Sequence, residues 1–208
     1  RNTIIHFFVT GAIAELALLR ASEGENGDRA AEFWDAALRL RDLLKFEFFF
    51  AEKEEFRDEM RQEIAVHDGE WEWRLADGGG EILSLLRKFR PFLAHRVLRP
   101  FVEAYRVVAD TLERHSADQP LDAAAFLAAC HARGQQYLLQ RRSRSAESVS
   151  KVLYETGLRL VRNQRLVEPD GPDLAERRAA FAAEIREWLR RIDAIDAMAA
   201  ARIAGLLQ

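Results

Sequence analysis

Five histidines, at positions 6, 67, 95, 115 and 131, and a lone cysteine at 130 are the first side chains to test for metal binding or nucleophilic chemistry in this chain of 208 residues. A metal held on one helix face needs two histidines four apart or an HExxH pattern. Neither spacing occurs, so no metal is expected. No GxSxG elbow, Walker loop or GxGxxG turn is present, and no cofactor is expected either. Cys130 lies in the alanine-rich stretch AAFLAACHA, where a thiol reads as a small buried hydrophobe. A single cysteine excludes an intramolecular disulfide and points to a reducing compartment. The three glycines at 78–80 read as a turn. No catalytic residue is assigned.

What remains is an edge of hydrogen-bonding groups at the start of the chain. On a helical wheel Asn2, His6 and Thr10 fall within about 80° of one another, and Arg1 beside them could pair with an anion such as a phosphate. Arg1, Asn2 and His6 are therefore candidate substrate-binding residues. The helix that would carry them reads RNTIIHFFVTGAIAELALLR. His6 and Glu15 interrupt the unbroken apolar middle a signal peptide needs, and the apolar run falls short of the roughly 20 residues of a membrane span. Its apolar residues nevertheless cover about two thirds of the circumference, against the roughly 100° stripe of a one-sided surface helix. The expectation is a buried helix with an outer face around Ile5, Val9, Ala12 and Leu16, left open for a partner.

The rest of the chain must support that helix. Ala, Leu, Arg and Glu dominate and apolar residues recur at three and four, which predicts an all-α, irregular multi-helix bundle. Helices are expected over 1–22, 29–46 and 52–66, then a short extended piece at EWEWRLAD closed by the glycines. A helical stretch follows over 81–115, with breaks at Pro91 and Pro100. Asp122 is placed to cap a helix running to Gln140, and another helix spans 146–163. The turn-rich EPDGPD at 168–173 separates a domain at 1–167 from a helical tail at 168–208, expected to pack on that same domain and to be interrupted near Asp193.

Charge narrows the partners. Lysine and arginine number 31 against 34 acidic residues, a formal net charge of -3, which offers no overall attraction to nucleic acid or to an anionic surface. The basic RRSRS at 141–145 could lead into a helix-turn-helix that grips phosphates, but without a second basic surface it reads as a solvated connector, and no nucleic acid is expected.

Four blocks carry a resemblance. RNTIIHFFVTGAIAELAL, LRDLLKFEFFF at 40–50, LRPFVEAYRVVADTL at 98–112 and ESVSKVLYETGLRLVRNQRLV at 147–167 resemble, in that order, the C-terminal region of bacterial, membrane-associated glycerol-3-phosphate 1-O-acyltransferases. The resemblance implies acyl transfer from acyl-CoA or acyl carrier protein to glycerol 3-phosphate, in phospholipid biosynthesis, at the cytoplasmic face of the cell membrane. It also implies a histidine base in an HxxxxD motif. Here the fifth residue after each histidine is Gly11, Glu72, Pro100, Pro120 or Gln136, so no such motif exists. The chain therefore reads as the helical C-terminal portion of such an enzyme. It is expected to be inactive alone, to pack on and shape its own catalytic domain, and to meet the membrane only through the parent protein. The rival is a free-standing helical interaction or ligand-sensing module, such as the regulatory half of a transcription factor.

Overall fold

The computed structural model of the chain describes residues 3–24, 27–169, 171 and 173–206, with the backbone alone for residues 3–7. Ten α-helices and one 3-10 turn, with no strand, occur among the described residues. They are α1 (Thr3–Glu23), α2 (Arg29–Leu44), α3 (Lys53–His67), α4 (Trp71–Asp77), α5 (Gly79–Leu86), α6 (Ala94–Val97), α7 (Arg99–Leu112), α8 (Ala123–Leu139), α9 (Lys151–Asn163) and α10 (Leu174–Ile203). Two compact units result, Arg1–Leu98 with Arg191–Gln208, and Arg99–Arg190.

In the first unit α1 packs against α2, α3, α5 and α6. Val9, Ala12, Ile13, Ala14, Leu16, Ala17 and Leu18 are each exposed by 1 % or less. The outer face expected around Val9, Ala12 and Leu16 is thus covered by the chain itself, which corrects the inference that these residues await a partner. The width of the apolar face was read correctly. What covers it is a ring of neighbours in the same unit, and the alanines at 12, 14, 17 and 21 let those neighbours approach closely. The side chain of Ile5 lies outside the described residues.

Glu15 stands in this apolar ring with no solvent exposure. Its carboxylate accepts from the backbone amides of Leu93 at 2.6 Å and Ala94 at 2.9 Å, donors that the start of α6 would otherwise leave unpaired. Burial nevertheless outweighs those two bonds and the attraction of Arg202, and pushes the Glu15 carboxyl from 4.5 up to about 8.

The neighbouring helices follow from their own residues. Asp28 caps α2 by accepting from the Ala31 amide at 3.0 Å, and α3 buries Phe56, Met60 and Ile64 at four-residue spacing. EWEWRLAD is helical, not extended. Trp71 and Leu75, four apart, are buried while Trp73 is 55 % exposed, so the apparent alternation of tryptophans does not mark two faces of a strand. Gly78, at φ 144°, ends that helix in a conformation other residues rarely adopt.

In the second unit α7 is the helix buried nearly all round, packed on α8 and α9. Gly157 lets α9 come close, since a Cβ there would stand 2.9 Å from Val108 Cγ2. The helical stretch breaks at Leu98, between α6 and α7, beside Pro100 as expected, and Pro100 itself belongs to α7. It lies in the first turn, where a missing amide costs nothing. Asp122 caps α8 as expected, accepting from the Ala125 amide at 2.7 Å, and the 146–163 stretch divides into a 3-10 turn at Ala146–Ser148 and α9. Cys130 is fully buried and its thiol is pushed up to about 11, which leaves it protonated and inert.

Helix α10 runs without the interruption expected near Asp193, because Ile192 and Ile195 on either side of it are wholly buried and hold the helix through that point. Up to Arg190 it belongs to the second unit and from Arg191 to the first. Arg178 is buried there without a carboxylate, donating to the carbonyls of Leu166, His115 and Val167 at 2.8, 2.8 and 3.0 Å.

Between pH 4.5 and about 8 the folded chain keeps a proton on Glu15 that the unfolded chain releases, so this group's contribution to stability falls as pH rises. His67, lowered by burial, works in the opposite direction, and is present in both wild type and a Glu15→Gln variant. Urea unfolding of both at pH 5 and pH 8.5 should show the difference in stability, wild type minus variant, falling by at least about 1 kcal/mol on going to the higher pH. A difference that does not change with pH would contradict the assignment.

Candidate functional site

Of the residues singled out in the sequence, Arg1 and Asn2 lie outside the described residues, and for His6 only the backbone within α1 is described. Thr10, the fourth member of that edge, lies one turn after His6 and lines a groove of about 470 Å³. The groove's other walls are the FEFFF segment and the start of α3.

The FEFFF segment forms a turn whose alternate rings point inward. Phe48 is buried, and Phe50 packs edge-on against Phe48 at 6.3 Å and Phe56 at 5.6 Å between ring centres. Arg41 clamps the far end of the turn, donating to the Ala51 carbonyl through Nη2 at 2.6 Å and Nε at 3.3 Å. Phe49, between buried Phe48 and half-buried Phe50, is left 85 % exposed at the mouth of the groove. Phe8, one residue before Val9, is 44 % exposed. Glu52, Glu55 and Glu59 form the remaining wall, and none of their carboxylates has a partner among the described residues. The arrangement is an aromatic ledge beside three carboxylates, which suits the docking of an apolar segment bearing basic residues.

The described histidines lie apart from this groove, and one of them, His95, has its Nε2 3.9 Å from Asp196 Oδ1. His67 stacks on Phe89 with centroids 4.1 Å apart, and its Nε2 stands 4.0 Å from Glu63 Oε1. His131 shares a contact of 3.0 Å with Gln135, and His115 one of 3.2 Å with the Gln119 carbonyl. Among the described residues no group of three or more His, Cys, Asp or Glu could hold a metal ion, and no helix is long and apolar enough to cross a membrane.

The basic connector is docked by its backbone. Glu103 on α7 accepts from the amides of Arg144 and Ser145, each at 2.9 Å, Arg106 donates to the Arg142 carbonyl, and the Arg142 guanidinium lies 4.1 Å over the Tyr137 ring. That is a connector leading into a core helix.

Residues 1–170 match the family model described as the glycerol-3-phosphate acyltransferase C-terminal region. The chain belongs to that family. The match ends inside the turn-rich EPDGPD segment. Proteins of Mycobacterium bovis and of two strains of Mycobacterium tuberculosis that carry the name acyltransferase plsB1 are each 43 % identical over 202 residues. Those alignments take in 96 % of this chain and 32 % of each relative, so the chain spans about a third of the length of the curated relatives it matches. No solved structure gives a significant match.

Sequence reasoning found the helix that leads to the groove and missed the groove itself. Its aromatic ledge was visible as FEFFF, and its acidic wall as glutamates at 52, 55 and 59, spaced along one edge of a helix whose other face carries Phe56, Met60 and Ile64.

Proposed function

We propose that this chain is the C-terminal helical domain of a glycerol-3-phosphate 1-O-acyltransferase, and that it packs on the catalytic domain and shapes its substrate site through the N-terminal end of α1. The parent would transfer an acyl group from acyl-CoA or acyl carrier protein to glycerol 3-phosphate in phospholipid biosynthesis, working as a peripheral protein at the cytoplasmic face of the membrane. The observation that carries the reading is the contrast along one helix. From Gly11 to Leu19 α1 is buried within its own unit, while the groove lined by Val9, Thr10, Phe49 and the α3 glutamates stays open beside its first turns.

In this reading the base and the acyl-donor site belong to the catalytic domain, and Arg1, Asn2 and His6 form an edge that meets the phosphate or hydroxyls of glycerol 3-phosphate. A guanidinium and an imidazole are suited to that anion. In this reading the chain alone, incubated with glycerol 3-phosphate and an acyl-CoA, should release no CoA beyond a heat-killed control.

Two variants of the full-length acyltransferase test the reading. Arg1→Ala combined with His6→Ala should raise KM for glycerol 3-phosphate at least about fivefold with a smaller effect on kcat, as expected for lost ground-state binding. Unchanged kinetics would remove these residues from the site. Phe49→Glu should lower activity in the full-length protein while leaving the thermal stability of the isolated chain unaltered, because the ring is already exposed there. Full activity in that variant would contradict docking through the groove.

A further inference from the structure

A second concavity, of about 410 Å³, lies wholly within the second unit, between the end of α7 and the first turns of α8. Its character is opposite to that of the acidic groove. Arg114, Arg133 and His115 line it, and Leu121, Phe126 and Ala129 form an apolar floor in which Phe126 is buried and Ala129 reaches the surface.

Neither guanidinium is neutralised by a carboxylate among the described residues, and that of Arg133 is held in place. Arg133 donates through Nε to Thr111 Oγ1 at 2.9 Å, and that hydroxyl in turn donates to the Val107 carbonyl at 2.6 Å. The bond orients the guanidinium while its two terminal nitrogens stay available. Arg114 is exposed and has no hydrogen-bond or ion-pair partner among the described residues. His115 is fixed by its own backbone, whose carbonyl accepts from the buried Arg178 at 2.8 Å. The carboxylate that lines the pocket, Asp122, caps α8 through the Ala125 amide, and nearby Glu113 is ion-paired with Arg186. Two guanidiniums thus face the space against one carboxylate that is already hydrogen-bonded.

We propose that this pocket binds an amphipathic oxyanion, a phosphate monoester or carboxylate head held by Arg114 and Arg133 with a short hydrocarbon chain laid on Leu121, Phe126 and Ala129. Guanidiniums supply paired donors matched to such a head, and the apolar floor adds affinity that a bare ion does not receive. The volume is ample for a short chain. The site lies in the second unit and the acidic groove in the first, so binding here is measured independently of docking at the groove.

Isothermal titration calorimetry of the full chain with hexyl phosphate, hexanoate and inorganic phosphate at pH 7 and constant ionic strength tests this. Hexyl phosphate or hexanoate should bind, whichever is tighter identifying the head group the site prefers, and inorganic phosphate should bind at least about tenfold more weakly than hexyl phosphate. Arg114→Ala, at an exposed position where folding is not at risk, should weaken the tighter ligand about tenfold. Ala129→Phe, also at an exposed position, should fill the floor and weaken the alkyl ligands while leaving inorganic phosphate unaffected. Equal affinity for inorganic and hexyl phosphate, no heat from either alkyl ligand at about 10 mM, or alkyl binding unchanged in both variants would overturn the proposal.

Discussion

A carboxylate that cannot reach water governs the first unit. Glu15 sits in a helix buried on every side, and an unpaired polar group there would cost several kcal/mol, on the order of the whole margin by which a domain of this size is stable. The amides of Leu93 and Ala94 meet that demand, and in doing so tie α1 to a segment nearly eighty residues away in sequence. The same segment is fastened from its other side. Arg202, near the end of α10, donates to the Phe89 carbonyl at 2.7 Å and to that of Arg87, and lies 4.3 Å over the Phe92 ring. Three stretches far apart in the chain are therefore joined around one buried acid, and Arg191, bonded to Glu23 at 2.7 Å, adds a fourth point of attachment.

The second unit solves the same problem with different residues. α7 is also buried nearly all round, and its Glu103 and Asp110 are pinned by a connector and by neighbouring side chains: Glu103 by the Arg144 and Ser145 amides, Asp110 by the Tyr137 hydroxyl at 2.8 Å and Arg186 at 2.9 Å. In each unit an acidic residue inside an apolar helix holds a non-helical segment against it. Packing alone is indifferent to where a loop runs. These directional bonds are not, and they account for an ordered basic connector in a region that would otherwise be free in solvent.

Much of this was legible from local signals. The helical class, the caps at Asp28 and Asp122 and the unusual width of α1's apolar face depend on residues a few positions apart. What stayed hidden depends on partners distant in sequence. Glu15 looked like an interruption of an apolar run, because nothing local shows that Leu93 and Ala94 need an acceptor. The open face predicted at Val9, Ala12 and Leu16 failed for a related reason, since a helical wheel counts apolar positions but does not show how many neighbours will cover them. EWEWRLAD misled by its two tryptophans, of which only Trp71 finds rings to pack on, Phe33 and Trp34 at 6.1 and 6.4 Å. The acidic groove required α1, the FEFFF turn and α3 to be brought together before it existed at all.

The account rests on α1 being complete within its own unit and open only toward its first turns. Amide hydrogen exchange, measured residue by residue in the isolated chain and in the full-length acyltransferase, tests this directly. Residues 9–21 should exchange only by global unfolding in the isolated chain and be equally well protected, relative to global stability, in the longer protein. Residues 46–55 should gain protection only in the longer protein. Rapid exchange across residues 9–21 in the isolated chain, cured by the rest of the protein, would mean that α1 depends on an outside partner for its core contacts and would contradict the account.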